Sequence, residues 1–199
     1  MGVHSREIFL TLALVLGASP AIAGWRDEAS PPDIDRLVQL PQIRAAAIED
    51  AQHSQGRGDG RVISRVMGPQ GHAIPLRALM GDWRCRQFKL GGMSSFMVYD
   101  QWFSCKIRPV NGGLKLEKMN GSQRFVGLLF PENGAWVYLG ASSAKGEPWH
   151  NYSGRSPSIG AQITPDDQIG LLTGIGDNHL RLEIPAVQES ALDVVEFAR

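Results

Sequence analysis

Two textures of apolar spacing divide the chain. From residue 81 onward, short runs of strand-forming residues recur at 82–90, 97–109, 114–119, 124–130, 135–142, 168–173, 179–184 and 191–198. Turn formers punctuate them: Gly91-Gly92, Asn111-Gly112-Gly113, Asn120-Gly121, Asn133-Gly134 and Asp177-Asn178. Runs of this length with Gly and Asn between them predict an antiparallel sheet of about eight short strands. The fold class is therefore mainly β, a barrel or a sandwich, with the barrel preferred. Residues 143–167 are rich in Gly, Ser and Pro and predict a long loop; loops of that length are often functional.

Residues 24–55 have helical texture instead. Ser30 can cap a helix with Pro31 at its first position and Asp33 completing a capping box. Ile34, Leu37 and Val38 share a face, Pro41 breaks or restarts the helix, and Ile43, Ala47 and Ala51 continue a thin apolar stripe. Such a helix is expected to lie on the outside of the β domain. Residues 56–80, with Pro69 and Pro75, read as a connector with room for one short element.

The first 23 residues have the three parts of an export signal: Arg6 in a polar head, an uncharged apolar run from Ile8 to Leu16, and Ala21-Ile22-Ala23 as a cleavage site before Gly24. The run is shorter than the roughly 20 residues that span a bilayer. The expected organisation is a signal (1–23), a helical segment (24–55), a connector (56–80) and a β domain (81–199). The expected location is the periplasm or the exterior of a bacterium, with no transmembrane segment after cleavage.

Apolar residues make up 43% of the chain, which suits a globular domain, and the formal net charge is zero. A neutral chain has no global field to recruit nucleic acid. The zero conceals a split. From Asp82 to Arg124 eight Lys/Arg face three Asp/Glu, a balance of +5, and from Glu132 to Glu196 three face nine, a balance of −6.

The chain's cysteines are Cys85 and Cys105, and an exported setting favours a bridge between them. If 82–90 and 97–109 form a hairpin with Leu90 opposite Asp100, Cys85 stands opposite Cys105. That register puts Trp83, Tyr99, Phe103 and Ile107 on the cysteine face, the expected core. The other face carries Arg84, Arg86, Lys106 and Arg108, with Phe88 opposite Trp102. Arg84 would then face Lys106, and like charges across a ladder repel. Either an anionic ligand or the last strand, through Asp193 and Glu196, must offset them.

Motifs for chemistry are sparse. Gly140-Ala141-Ser142-Ser143-Ala144 approaches a nucleophile elbow but lacks the helix that should follow. The histidines have no metal-ligand spacing, and Gly174-Ile175-Gly176 is too short for a dinucleotide fingerprint, so neither metal nor cofactor is expected. Trp149-His150-Asn151-Tyr152 joins aromatic faces to polar donors in the long loop, a combination suited to a sugar or glycan strand.

Gly81-Asp82-Trp83 at the head of the first strand resembles the Gly-x-Trp of lipocalins and their calycin relatives. The resemblance implies a barrel closed at one end by the Trp, with a late Arg stacked across it, and a small apolar-ligand cavity; the late arginines here are Arg181 and Arg199. Five runs have a broader resemblance: 81–91, 102–105, 116–124, 137–141 and 189–196. They resemble a family of exported bacterial proteins described as a domain of unknown function, family 4893. It implies an envelope setting and a Cys85–Cys105 pair, and it carries no activity. The resulting expectation is a non-enzymatic binder of a small apolar or anionic envelope ligand, using Arg84, Arg86, Trp102, Lys106, Arg108, Trp149, His150 and Tyr152. The alternatives are an envelope hydrolase built on Ser142 and His150, or a structural accessory of an envelope complex. Protein recovered from its native cells should begin at Gly24, as N-terminal sequencing will show; an intact Met1 on membrane-bound material would contradict the export reading.

Overall fold

The computed structural model describes residues 24–54, 59–94, 96–111, 113–154, 166–185 and 188–199. The expected signal, residues 1–23, lies outside them, as do the head of the expected connector and residues 155–165 of the expected loop. The strands are β1 Gly81–Leu90, β2 Phe96–Val98, β3 Phe103–Val110, β4 Gly113–Lys118, β5 Gln123–Glu132, β6 Ala135–Ala144, β7 Asp167–Gly176, β8 His179–Pro185 and β9 Leu192–Ala198. Each of β3 to β9 pairs antiparallel with its neighbour in sequence, and β1 pairs with both β3 and β9. Eight strands thus close into a barrel, and β2 is an extra strand continuing the β3 side of β1. Closure decides between barrel and sandwich.

The expected return strand 97–109 is broken. Phe88 pairs with Val98 and Cys85 with Phe103, so four residues of the return strand span two of β1. The excess, Tyr99–Trp102, bulges outward, which strands do where an inserted residue cannot pair. Tyr99, expected in the core, is half-buried in this bulge, and Phe88 faces Val98 rather than Trp102. The expected register is also off by two residues: Cys105 stands opposite Trp83 and Cys85 opposite Phe103. A shift of two preserves the face. Cys85 and Cys105 therefore still meet, diagonally, as a disulfide with Cα atoms 5.8 Å apart. The shift also places Asp82, not Arg84, opposite Lys106 and so removes the expected repulsion.

The barrel is filled. Trp83, Cys85, Cys105, Ile107, Leu116, Leu129, Tyr138, Leu172, Leu182 and Phe197 belong to one buried cluster inside it. Its lower end is shut by Trp83, whose indole N–H donates to Leu79 O (2.8 Å) and whose ring lies 3.8 Å from the Arg199 guanidinium. Arg199 in turn donates to the carbonyls of Leu79 (3.2 Å) and Met80 (2.5 Å). This is the stack implied by the calycin resemblance, and Arg199 rather than Arg181 supplies it.

The outer wall is also apolar where helices cover it. The helices are α1 Trp25–Glu28, α2 Pro31–Val38, α3 Leu40–His53, α4 Asp59–Met67 and α5 Leu76–Leu79. Ser30 caps α2 through its hydroxyl, although its own N–H goes to Tyr152 and not to Asp33. Pro41 restarts the chain as α3. The expected connector holds α4, which spacing should have revealed: Val62, Ile63, Val66 and Met67 fall on one helical face and pack on Phe88, Leu90, Leu192 and Val194 of β1 and β9. Trp25 and Ala29 cover Phe130, Val137, Leu139 and Ile169. Beneath the helices Arg181 donates to the carbonyls of Val66 and Pro69, and Arg44 binds Glu183 at 2.7 Å.

Two stability outcomes follow. The disulfide closes a 20-residue separation, so replacing both cysteines by Ala should cost about 3 kcal/mol in urea unfolding. Arg199→Ala removes a ring contact and its hydrogen bonds to the Leu79 and Met80 carbonyls, at a partly exposed site where Leu79 O keeps the Trp83 indole N–H, and should cost about 1 kcal/mol in the same assay.

Candidate functional site

Alternate residues of each strand face the barrel interior, and each inward row changes character along its length. In β1 the row runs Trp83, Cys85, Gln87, Lys89, and in β9 it runs Phe197, Val195, Asp193. Antiparallel pairing brings the polar ends together, because Gln87 faces Val195 and Lys89 faces Asp193. In β5, β6 and β7 the rows likewise pass from Leu129, Tyr138 and Leu172 to Gln123, Ser142 and Gln168. The result is a barrel with an apolar floor and a polar mouth at the end away from Trp83.

Tyr138 marks the boundary. Its ring lies across Gly127 and Gly140, where an added Cβ would come within 2.4 Å and 2.2 Å of it, so only glycine leaves it room. Its hydroxyl reaches Gln168 Oε1 at 3.4 Å. Above it is a cavity of about 60 Å³, lined by Gln87, Lys89, Gln168, Ser142, Asp193 and the rim residues Arg36 and Arg124, among others. Asp193 accepts from Ser190 Oγ (2.5 Å) and Gln87 Nε2 (3.3 Å) and lies 3.6 Å from Lys89 Nζ. Lys89 also meets Glu189 at 3.3 Å. Burial pushes the Asp193 carboxyl above its usual range, against the opposing pull of Lys89 and the hydrogen bonds from Ser190 and Gln87.

Two further cations stand at this end without a carboxylate partner among the described residues. Lys118 is buried, donates to Gln123 O and lies 4.2 Å from the Phe103 ring. Desolvation lowers its pKa to about 8. Arg124 donates to the carbonyls of Ala144 (2.9 Å) and Glu147 (2.7 Å), and its guanidinium lies 4.3 Å from the ring of Trp149.

The residues expected from sequence fall elsewhere, in two groups. Arg86 Nε meets Glu196 at 2.6 Å, as the charge split suggests, but Asp193 points into the barrel and not to the arginine face. Arg84 pairs in the ladder with Ala198 and lies 5.2 Å from the ring of Trp102, which Arg86 also approaches at 4.7 Å. Lys106 and Arg108 share Asp82, at 3.8 Å and 3.2 Å. The basic face is thus met by carboxylates and rings of the chain itself. In the loop group, Tyr152 accepts from Ser30 N (2.9 Å) and donates to Asp33, pinning the loop to α2, whereas Trp149 remains 39% exposed beside the mouth.

Ser142 and His150 do not touch. Asp166 stands between them, its Oδ1 3.4 Å from Ser142 Oγ and its Oδ2 3.2 Å from His150 Nδ1. A serine nucleophile needs the imidazole, held by the carboxylate, against its hydroxyl. Here the carboxylate occupies that place.

The mouth residues Gln87, Lys89, Gln123, Gln168 and Asp193 were not among the sequence candidates. Their signal was present: polar residues occur at the inward positions of strands whose other inward positions are apolar. Reading it needs the register of several strands at once.

The family model described as Domain of unknown function (DUF4893) matches residues 25–197, and the chain belongs to that family. No curated protein matches it.

The Lys118 amine yields a pH test. Its folded pKa near 8 lies below the ordinary 10.5, so between these values the unfolded chain binds more protons and stability rises with pH. Relative to Lys118→Met, the wild type should gain about 3 kcal/mol between pH 8 and pH 10.5 in urea unfolding. A flat difference would show that the amine titrates as if in water.

Proposed function

For a member of a family whose description assigns no activity, we propose that this chain is an exported, non-enzymatic barrel that binds one hydroxyl- or amide-bearing end of an envelope molecule in its polar mouth. The observation that carries the reading is the switch of the inward rows from apolar to polar at one end only. Stability does not require it. A buried ion pair such as Lys89–Asp193 is often no better than apolar residues of the same volume, because desolvation offsets the attraction. Leaving a barrel end wet and charged is what a binding site needs and a core does not.

The chemistry of the lining selects the ligand class. Lys89 and Asp193 neutralise each other, so the cavity does not call for an ion of either sign. Gln87, Gln123 and Gln168 each offer a donor and an acceptor, and Ser142, whose O–H goes to Asp166, offers an acceptor, which suits hydroxyl and amide groups that both donate and accept. The cavity of about 60 Å³ has room for a few water-sized groups at about 10–15 Å³ each, well short of a whole ligand. One end of a molecule would enter, and the remainder would lie over Arg124 and the exposed Trp149 at the rim, where an aromatic face suits a sugar ring.

The test is a titration of isotope-labelled protein with N-acetylglucosamine, followed by NMR. Amide shifts should move at Gln87, Gln168 and Ser142. Gln168→Leu should weaken binding about tenfold, the equivalent of about 1.4 kcal/mol for lost hydrogen bonds, and should also lower stability by about 1–3 kcal/mol, because it leaves the buried Tyr138 hydroxyl without its partner. Shifts confined to the outer faces, or an unaltered affinity in Gln168→Leu, would remove the mouth as the site.

A further inference from the structure

The other end of the molecule has a second concavity of opposite character. Outside the barrel, between α1, the 76–80 segment and the ends of β3 to β6, lies a groove of about 460 Å³, within the roughly 300–1,000 Å³ typical of small-molecule sites. Its walls include Trp25, Leu76, Met80, Leu114, Phe130 and Trp136. Leu76 is 51% and Met80 37% exposed, an unusual placement for large apolar side chains grouped in one hollow.

The lining offers a ligand almost nothing to hydrogen-bond. The Trp25 indole N–H donates to Glu132 (3.0 Å) and the Trp136 indole N–H to Ile74 O (3.2 Å), so the two rings present hydrocarbon. The body of an occupant must therefore be hydrocarbon too. The residues next in the chain to the lining Trp25, Leu76, Pro109 and Pro131 are charged: Arg26, Arg77, Arg108 and Glu132. Arg26 is held by Glu132 at 3.0 Å and Arg108 by Asp82 at 3.2 Å, while Arg77 is exposed and has no ion-pair partner among the described residues. An apolar trough whose wall residue Leu76 is followed in the chain by an exposed arginine without an ion-pair partner among the described residues fits an apolar chain that ends in an anion.

We propose that this groove binds a free long-chain fatty acid, its acyl chain along Leu76, Met80 and Trp136 and its carboxylate toward Arg77. The site is independent of the polar mouth, which lies at the opposite end of the barrel and takes the opposite chemistry.

The experiment titrates the purified protein with a dansyl-labelled undecanoate and competes it with palmitate. Saturable one-to-one binding is expected, with palmitate displacing the probe and hexadecanol displacing it less well. Leu76→Glu and Met80→Glu place a charge at exposed positions, so folding should survive, as circular dichroism will check, and each should weaken binding at least about tenfold. Gln168→Leu should leave fatty-acid binding unchanged, which separates this site from the mouth. Three results would overturn the proposal: no saturable binding of palmitate, binding unaffected by both glutamate variants, or affinity only for intact lipid vesicles. Dimerisation abolished by Leu76→Glu without any palmitate binding would also overturn it and assign the groove to a second copy of the chain.

Discussion

Everything in this fold depends on the ladder between β1 and β9. The pairing from Arg84–Ala198 to Leu90–Leu192 joins the first strand of the barrel to the last, which no turn could do. It removes the sheet edges that would otherwise leave unpaired backbone groups on two strands. It also fixes both faces at once. On the inside it sets Lys89 beside Asp193, and on the outside Arg86 beside Glu196, which further collects His179 at 2.7 Å and Arg65 at 3.6 Å. A slip of one residue would exchange these faces and bury the Arg86 row inside the barrel.

Closure explains why the N-terminal segment must be helical and must lie where it does. A closed barrel of eight strands has an inside filled by side chains and an outside that water should wet. Here the outer positions Phe88, Leu90, Leu192 and Val194 are apolar, so the barrel is incomplete without α3 and α4. The same holds for Val137, Leu139 and Ile169 under α1 and α2. The helices are therefore part of the fold's stability, and they leave the two ends of the barrel uncovered by them.

The strands, the turns, the outward helix and the disulfide were legible in the sequence because each rests on local spacing or on residue chemistry. The register was not, because it depends on how many residues the turn and the bulge consume. The expected hairpin assumed a continuous return strand, and the Tyr99–Trp102 bulge is invisible to alternation alone. The consequence was limited, since a two-residue error keeps every side chain on its face. The cysteines and Trp83 stayed inside, while the partners of the charges changed, Phe88 met Val98, and Tyr99 left the expected core for the bulge. Helix α4 was lost for another reason: neighbouring glycines and prolines at 56–75 outweighed an apolar spacing that was helical throughout. The polar mouth is the least legible feature. No single strand looks unusual, and the pattern exists only when the inward rows of β1, β5, β6, β7 and β9 are laid side by side.

The charge split leads to the same place by a separate route. Much of the basic half is spent within the fold: Arg86 on Glu196, Lys89 on Asp193 and Glu189, Lys106 and Arg108 on Asp82, and Lys115 on Glu117. The cations of that half with no carboxylate among the described residues are Arg84, Lys118 and Arg124. Arg84 lies against Trp102 on the outer wall. Lys118 and Arg124 both stand at the polar end, held by backbone carbonyls and aromatic rings in place of ions. Carbonyls and ring faces satisfy a cation without cancelling its charge, and around the cavity the carboxylates of Asp167, Glu189 and Asp193 stand against the cations of Arg36, Lys89 and Arg124. The polar end is therefore rich in charge but balanced, which is why its glutamines rather than its ions set the chemistry of the proposed site.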